Sequence, residues 1–262
     1  MMFDPTLADL LAVLSGAVVG LTLGLVGGGG SILAVPLLLY VVGVRDPHVA
    51  IGTSALAVSV NAFANLVSHS RAGNVKWPCA VVFGLSGVAG AYAGSSLGKL
   101  VDGQQLLFVF GLVMVAVALA MLRPRQVEGD PGVRINPTIA ARLVGIGVLT
   151  GGLAGFFGIG GGFLIVPGIM LGSGMAMLNA VGSSLFSVGA FGLTTAANYA
   201  WDGLVDWRIA LEFIAGGIGG GFAGLALAQR LSAQKGLLNR VFAGLVLAVA
   251  AYVLWRSSAA WF

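Results

Sequence analysis

Charge is what this sequence has least of. Lys and Arg number 13 and Asp and Glu 9 in 262 residues, together 8%, against roughly 25% in a soluble domain. A water-soluble globular protein is thereby excluded. The net charge of +4 belongs to the short connections between apolar segments, so it records topology and argues against a nucleic-acid partner. Cysteine is nearly missing: Cys79 stands alone, which excludes an intramolecular disulfide and a multi-cysteine metal site. Two histidines and no clustered carboxylates make neither a metal centre nor an acid–base pair. No cofactor is expected, and an enzyme finds no residues to work with. Residues 1–9 hold no Lys or Arg, and no small-residue cleavage site follows the first apolar run, so the first helix is expected to be retained.

What is present is apolar and rich in glycine: 58% hydrophobic residues, 43 glycines and a mean hydropathy of +1.01. The composition is that of an all-α polytopic membrane protein, one transmembrane domain over 1–262 with the lipid bilayer as its surroundings. Apolar segments run at about 8–26, 31–43, 47–69, 78–98 and 104–122, and again at about 138–157, 162–174, 178–200, 207–229 and 238–255. The polar stretch 123–137 separates the two series. Most segments have the ~20 residues that span the bilayer core as helix. Segments 31–43 and 162–174 have 13 residues each and reach only ~20 Å. Each follows a glycine run: Gly27, Gly28, Gly29 and Gly30 before Ser31, and Gly158, Gly160, Gly161 and Gly162 with Ile159 among them. Each glycine in a helix interior costs ~1 kcal/mol relative to Ala, so the runs read as breaks lying inside the bilayer.

The halves repeat. At an offset of 131, Gly16, Gly20, Gly24, Gly27, Gly29, Gly30, Pro36 and Gly43 meet Gly147, Gly151, Gly155, Gly158, Gly160, Gly161, Pro167 and Gly174. At 130, Gly52, Ser54, Gly73, Val75, Trp77, Gly87, Gly90 and Gly94 meet Gly182, Ser184, Gly203, Val205, Trp207, Gly217, Gly220 and Gly224. Repeat 1 covers about 8–122, the linker 123–137 and repeat 2 about 138–256. Whether the short segments cross or re-enter, each half makes an odd number of crossings, five or three, so the repeats are expected to be inverted. Nine cations (Arg71, Lys76, Arg123, Arg125, Arg134, Arg142, Arg230, Lys235, Arg240) then fall on one side and four (Arg45, Lys99, Arg208, Arg256) on the other. The positive-inside rule places the linker in the cytoplasm and both termini outside, in a bacterial inner membrane. Trp77, Trp201, Trp207, Trp255 and Trp261 fall near segment ends, as an interfacial belt does.

Broken helices at corresponding places in inverted repeats point to a secondary transporter with its site at mid-membrane. Helix N-termini there offer unpaired N–H groups and a partial positive charge to an anion. The candidate substrate site is Gly28, Gly29, Gly30 and Ser31 with Gly160, Gly161 and Gly162, joined by the hydroxyls of Thr53, Ser54, Ser183 and Ser184. Each hydroxyl has the competing role of bonding a carbonyl one turn back. A side chain at Gly30 or Gly161 is expected to fill ligand space rather than harm the helix, whereas Gly87, Gly90 and Gly94 are assigned to close helix packing. Asn61, Asn65 and Asn198 line a path or tie helices together. His69 and Arg71 gate the cytoplasmic end or contact headgroups. Glu212, one turn from Trp207, either titrates in coupling or reaches to water. The coupling ion, proton or sodium, and the oligomeric state stay open.

These residues carry a family resemblance. The glycine run plus Pro36 or Pro167, the small-residue elements Ala50-Ile51-Gly52-Thr53-Ser54-Ala55 and Ala180-Val181-Gly182-Ser183-Ser184-Leu185, and the G-x-V-x-W turns of 73–77 and 203–207 resemble the TauE/SafE family of sulfite and organosulfonate exporters. The likeness covers essentially the whole chain. It implies transport of a small sulfur-containing anion, usually outward. Lys76 stands where the second half has Asp206, so the two turns differ in charge. An anion channel, or an importer of a small carboxylate or other non-sulfur anion, is the alternative.

Overall fold

The computed structural model describes residues 5–122, 129–130, 132–158, 162–230 and 235–258, and these form helices joined by short turns. Helix α1 is Pro5–Val26; a 3₁₀ stretch, Gly27–Leu33, leads through the short α2, Ala34–Leu37, into a π-helical turn, Leu38–Val42. Then come α3 (Pro47–Arg71), α4 (Trp77–Gly98) and α5 (Gly103–Leu122). The second half repeats the order with α6 (Pro137–Phe157), α7 (Gly162–Ser173), α8 (Met177–Trp201), α9 (Trp207–Arg230) and α10 (Lys235–Ser258). Six of the described helices are long and apolar enough to cross a membrane. The protein is an all-α polytopic membrane protein.

Local chemistry explains the joints. Pro47 and Pro137 open α3 and α6, with Asp46 and Asn136 capping them from the side chain. The repeated G-x-V-x-W turn is a helix exit. Gly73 and Gly203 each sit at φ +72°, a left-handed conformation that glycine adopts without strain. The following N–H groups of Asn74 and Leu204 return to the carbonyls of His69 and Tyr199. Val75 and Val205 then turn inward, and Trp77 and Trp207 begin the next helix half-exposed or more. Trp201 and Trp255 are also exposed at helix ends, as expected; Trp261 lies outside the described residues.

The halves are interleaved. α1 packs along α9 and α6 along α4, so each half's first helix lies against the other half's fourth. Both pairs meet backbone to backbone. A Cβ on Gly20 would lie 1.9 Å from the Gly217 carbonyl oxygen, and one on the equivalent Gly151 2.1 Å from that of Gly87. Gly220 meets Ala17 at 2.0 Å as Gly90 meets Val148 at 2.1 Å; Gly224 meets Leu21 at 2.2 Å as Gly94 meets Gly152 at 2.0 Å. Gly87, Gly90 and Gly94 thus have the packing role expected of them.

α3 and α8 cross at the centre, and these equivalent helices run antiparallel. Gly52 lies at Tyr199 and Leu204, Gly192 at Ala55 and Ser59, and Gly189 at Phe63. Ser59 donates to the carbonyl of Gly189 at 2.7 Å, and these two positions are themselves equivalent at the offset of 130. α5 and α10 pair likewise on one flank.

The glycine sterics separate two kinds of substitution. Gly20→Ala and Gly151→Ala should each cost about 1–3 kcal/mol by overpacking. Gly145→Ala and Gly219→Ala, where a Cβ meets nothing within 4 Å, should be neutral or gain up to ~1 kcal/mol from helix propensity. Thermal unfolding of the four variants in detergent measures this; equal behaviour of the two pairs would refute backbone contact as the cause.

Candidate functional site

The first glycine run is wound rather than open. Gly27–Leu33 forms 3₁₀ turns directly after α1, and the chain reverses within them. A Cβ on Gly30 would fall 2.5 Å from the backbone of Leu23 and of Thr22, and the Thr22 hydroxyl bonds the Gly30 carbonyl at 3.3 Å. Gly30 is therefore fixed by packing against the last turns of α1, and a larger residue there would disturb the fold. That corrects the expectation that only ligand space would be lost. The tight winding has a physical cause: without a Cβ, successive residues can overlie one another and α1 together. Ser31 is fully buried. Gly28 and Gly29 lie in the same 3₁₀ turns.

The second run begins differently. α6 ends at Gly158 with φ +68°, against Ile51 of α3. Gly160 and Gly161 lie outside the described residues, and Gly162 opens α7. α7 has 12 residues, ~18 Å at 1.5 Å per residue. It ends at Gly174, whose carbonyl accepts the N–H of Asp130 in the linker. The 27–33 stretch packs directly against α7, so the two broken segments meet inside the bundle.

All four candidate hydroxyls are fully buried, and they divide into two symmetric pairs. Thr53 accepts the backbone N–H of Asp206 at 2.9 Å, and Ser183 accepts that of Lys76 at 2.9 Å. Each half thus holds the entry of the other half's fourth helix. Ser54 and Ser184 donate to the carbonyls of Ile51 (2.9 Å) and Val181 (2.7 Å), three residues back. The charge difference between Lys76 and Asp206 leaves these ties intact, because both use backbone N–H groups. Asp206 adds a carboxylate cap to Arg208 and Ile209.

The other candidates scatter. Asn65 bonds the carbonyl of Asn61 one turn back. His69 is buried with neither ring nitrogen paired, while Arg71, two residues on, is exposed. Asn61 is fully buried, and neither its amide nitrogen nor its oxygen has a partner. Glu212 bonds Arg208, which also pairs with Asp9 at the start of α1; it lies in an ion-pair network at a helix end.

Asn198 belongs to a cluster that the sequence did not reveal. Lys99 donates to the Asn198 carbonyl, to Asn198 Oδ1 and to Asp202, while the Asn198 amide donates to Ser95 and Ser96. The end of α4 is thereby fastened to the end of α8. At an offset of 130 the other half has Gln229, Ser68, Ala72, Leu225 and Ala226, which cannot build this cluster. A cleft of about 630 Å³ opens beside it, lined by Arg45, Asp46, His48, Lys99, Asp102 and Gln104 among others. The single readable signal was that Lys99 and Asp202 lack charged counterparts in the opposite repeat.

The described helices form a bundle with interleaved halves whose two broken segments meet inside, an arrangement that fits a membrane transporter. The family comparison gives the class. The chain matches the family model described as sulfite exporter TauE/SafE over residues 12–253, and it belongs to that family. It is 56% identical over 256 residues to a probable membrane transporter protein of Xylella fastidiosa strain Temecula1, covering 96% of this chain and 97% of that one. It is 27% identical over 246 residues to the probable membrane transporter protein YunE of Bacillus subtilis strain 168, covering 86% and 90%. No solved structure matches.

The cross-half ties should show in stability. Thr53→Val and Ser183→Ala each strand a backbone N–H and should cost about 1–3 kcal/mol. Ser54→Ala and Ser184→Ala should stay within about 0.5 kcal/mol, since an i−3 back-bond adds little to a helix. Chemical unfolding in detergent distinguishes them; four equal values would show that the ties contribute nothing.

Proposed function

We propose that the protein is a secondary transporter that exports a small sulfur-containing anion, such as sulfite or an organosulfonate, by alternating access. The observation that carries this reading is the contact between the two glycine-led segments, 27–33 and α7, inside the bundle. Broken segments in both halves of a repeat are where such proteins bind their cargo, and TauE/SafE membership supports the class of anion. The antiparallel crossing of α3 and α8 supports inverted repeats. In an inverted pair the two faces are built from the same parts in opposite order, which lets one site be reached from either side in turn.

The ends of the described helices support the sidedness. Asp9 of α1 meets Arg208 at the start of α9, and Tyr40 packs on Tyr252 near the end of α10. Arg45, Lys99, Arg208 and Arg256 go with this end, whereas Arg71, Lys76 and the described linker residue Asp130, bonded to Gly174, go with the other. With nine cations against four, the linker faces the cytoplasm in the bacterial inner membrane and both termini face out.

Purified protein in liposomes should give saturable flux of sulfite, thiosulfate or taurine, with accelerated exchange when the same anion is on both sides. Flux that rises without saturation through the millimolar range would make it a channel. Flux of simple carboxylates alone would remove the sulfur assignment. Sidedness is tested separately with a membrane-impermeant thiol reagent on intact cells, in a Cys79→Ser background. A cysteine placed after Trp261 should react and one in the 123–137 linker should not; the reverse pattern would invert the orientation.

A further inference from the structure

Among the described residues, Asn61 and His69 are each buried with both side-chain polar atoms unpaired, and Asn61 is the more completely buried of the two. Both the amide nitrogen and the amide oxygen of Asn61 lack a partner, so exchanging the two atoms would not remove the anomaly. An unpaired buried polar group is destabilising, and natural interiors retain few of them without a reason. Asn61 also occupies a telling place. It lies two residues from Ser59, whose hydroxyl bonds Gly189 where α3 and α8 cross. It is ten residues from the end of α3 at Arg71 and fourteen from its start at Pro47, so it stands near mid-depth. Its amide abuts Gly217 of α9, where a Cβ would fall 1.9 Å from the amide nitrogen.

The second half answers differently at this position. The equivalent of Asn61 is Phe191, and the equivalent of Gly217 is Gly87. Phe191 is fully buried with its ring against Gly87, 2.0 Å from where a Cβ there would stand. One half fills the space with an apolar ring; the other presents an unpaired carboxamide to the same kind of glycine. Asn65, one turn on, lies against Gly221 in the same helix interface. α9 thus meets this polar face of α3 through glycines, and a small separation of the two helices would uncover the amide.

We infer that Asn61 is a substrate ligand: its amide N–H donates to an oxygen of the anion, and its carbonyl accepts from a donor that the same anion carries. The cargo is therefore an oxyanion with a hydrogen-bond donor of its own, either a protonated oxyanion such as hydrogen sulfite or an aminosulfonate such as taurine. This rests on the transporter reading and adds a single, off-axis binding residue in the first half. No metal or full charge is needed, and a neutral amide lets the anion leave again.

The test pairs binding with stability. Purified wild type and Asn61→Leu are compared by thermal shift and calorimetric titration with hydrogen sulfite at pH 6, taurine, and methanesulfonate, which accepts but does not donate. Wild type should bind one of the first two more tightly than methanesulfonate; hydrogen sulfite or taurine alone responding tells which source of the donor is used. Asn61→Leu should melt at or above the wild-type temperature, because it removes an unpaired polar group, and should lose affinity roughly 10- to 150-fold. Asn61→Ser, which keeps a small donor and acceptor, should retain part of the binding and secures the test should the leucine variant not fold. Phe191→Leu should bind as wild type does. Undiminished binding by Asn61→Leu and Asn61→Ser would overturn the assignment. A drop in melting temperature with unchanged affinity would make Asn61 a structural residue and overturn it too. Wild type that binds none of the anions would instead remove the sulfur-anion reading on which this assignment rests.

Discussion

Everything in this bundle depends on backbone meeting backbone between α1 and α9 and between α4 and α6. At Gly20 and Gly151 there is no room for a methyl group. In lipid, helices gain little from apolar burial against one another, and close packing of small residues takes over as the attractive force. The glycine content that would weaken a soluble helix is here what brings four helices into two tight pairs. Those pairs join the halves, because each is made of one helix from each repeat. α3 and α8 are then held between them, and the broken segments are pressed together inside.

The interior is symmetric in its framework and asymmetric in its polar chemistry. Thr53 and Ser183 exchange equivalent bonds with the turns before α9 and α4, and Ser54 and Ser184 make equivalent back-bonds. The differences lie elsewhere. Lys99, Asp202 and Asn198 fasten one end of the molecule, with Gln229, Ala72 and Ser68 in their places at the other. Asn61 faces Gly217 where Phe191 faces Gly87. Under the alternating-access reading, side chains that break the symmetry would bear on which face is closed more firmly.

Much of this was legible in the sequence. The repeat, the apolar segments, the short helices after the glycine runs and the packing role of Gly87, Gly90 and Gly94 follow from spacing alone, because periodicity and length govern them. The 3₁₀ winding at Gly27–Leu33 did not follow, since glycine permits many conformations and the contact with Thr22 and Leu23 selects one. Nor did the partners of Thr53 and Ser183, which lie 153 and 107 residues away; only the fold brings them near. Asn61 was marked in the sequence as a residue that lines a path or ties helices, on its polarity within an apolar segment alone. Its mismatch with Phe191 was on view at an offset of 130, but a mismatch gains meaning only once burial shows that the amide has no partner.

The reach of the Thr53 and Ser183 bonds bears on how the protein is made. Helices enter the membrane in the order of synthesis, yet the Lys76 N–H that begins α4 waits for Ser183, and the glycine face of α1 waits for α9. These contacts can form only after most of the second half has been synthesised. α9, in the last third of the chain, supplies the surface on which the first helix docks.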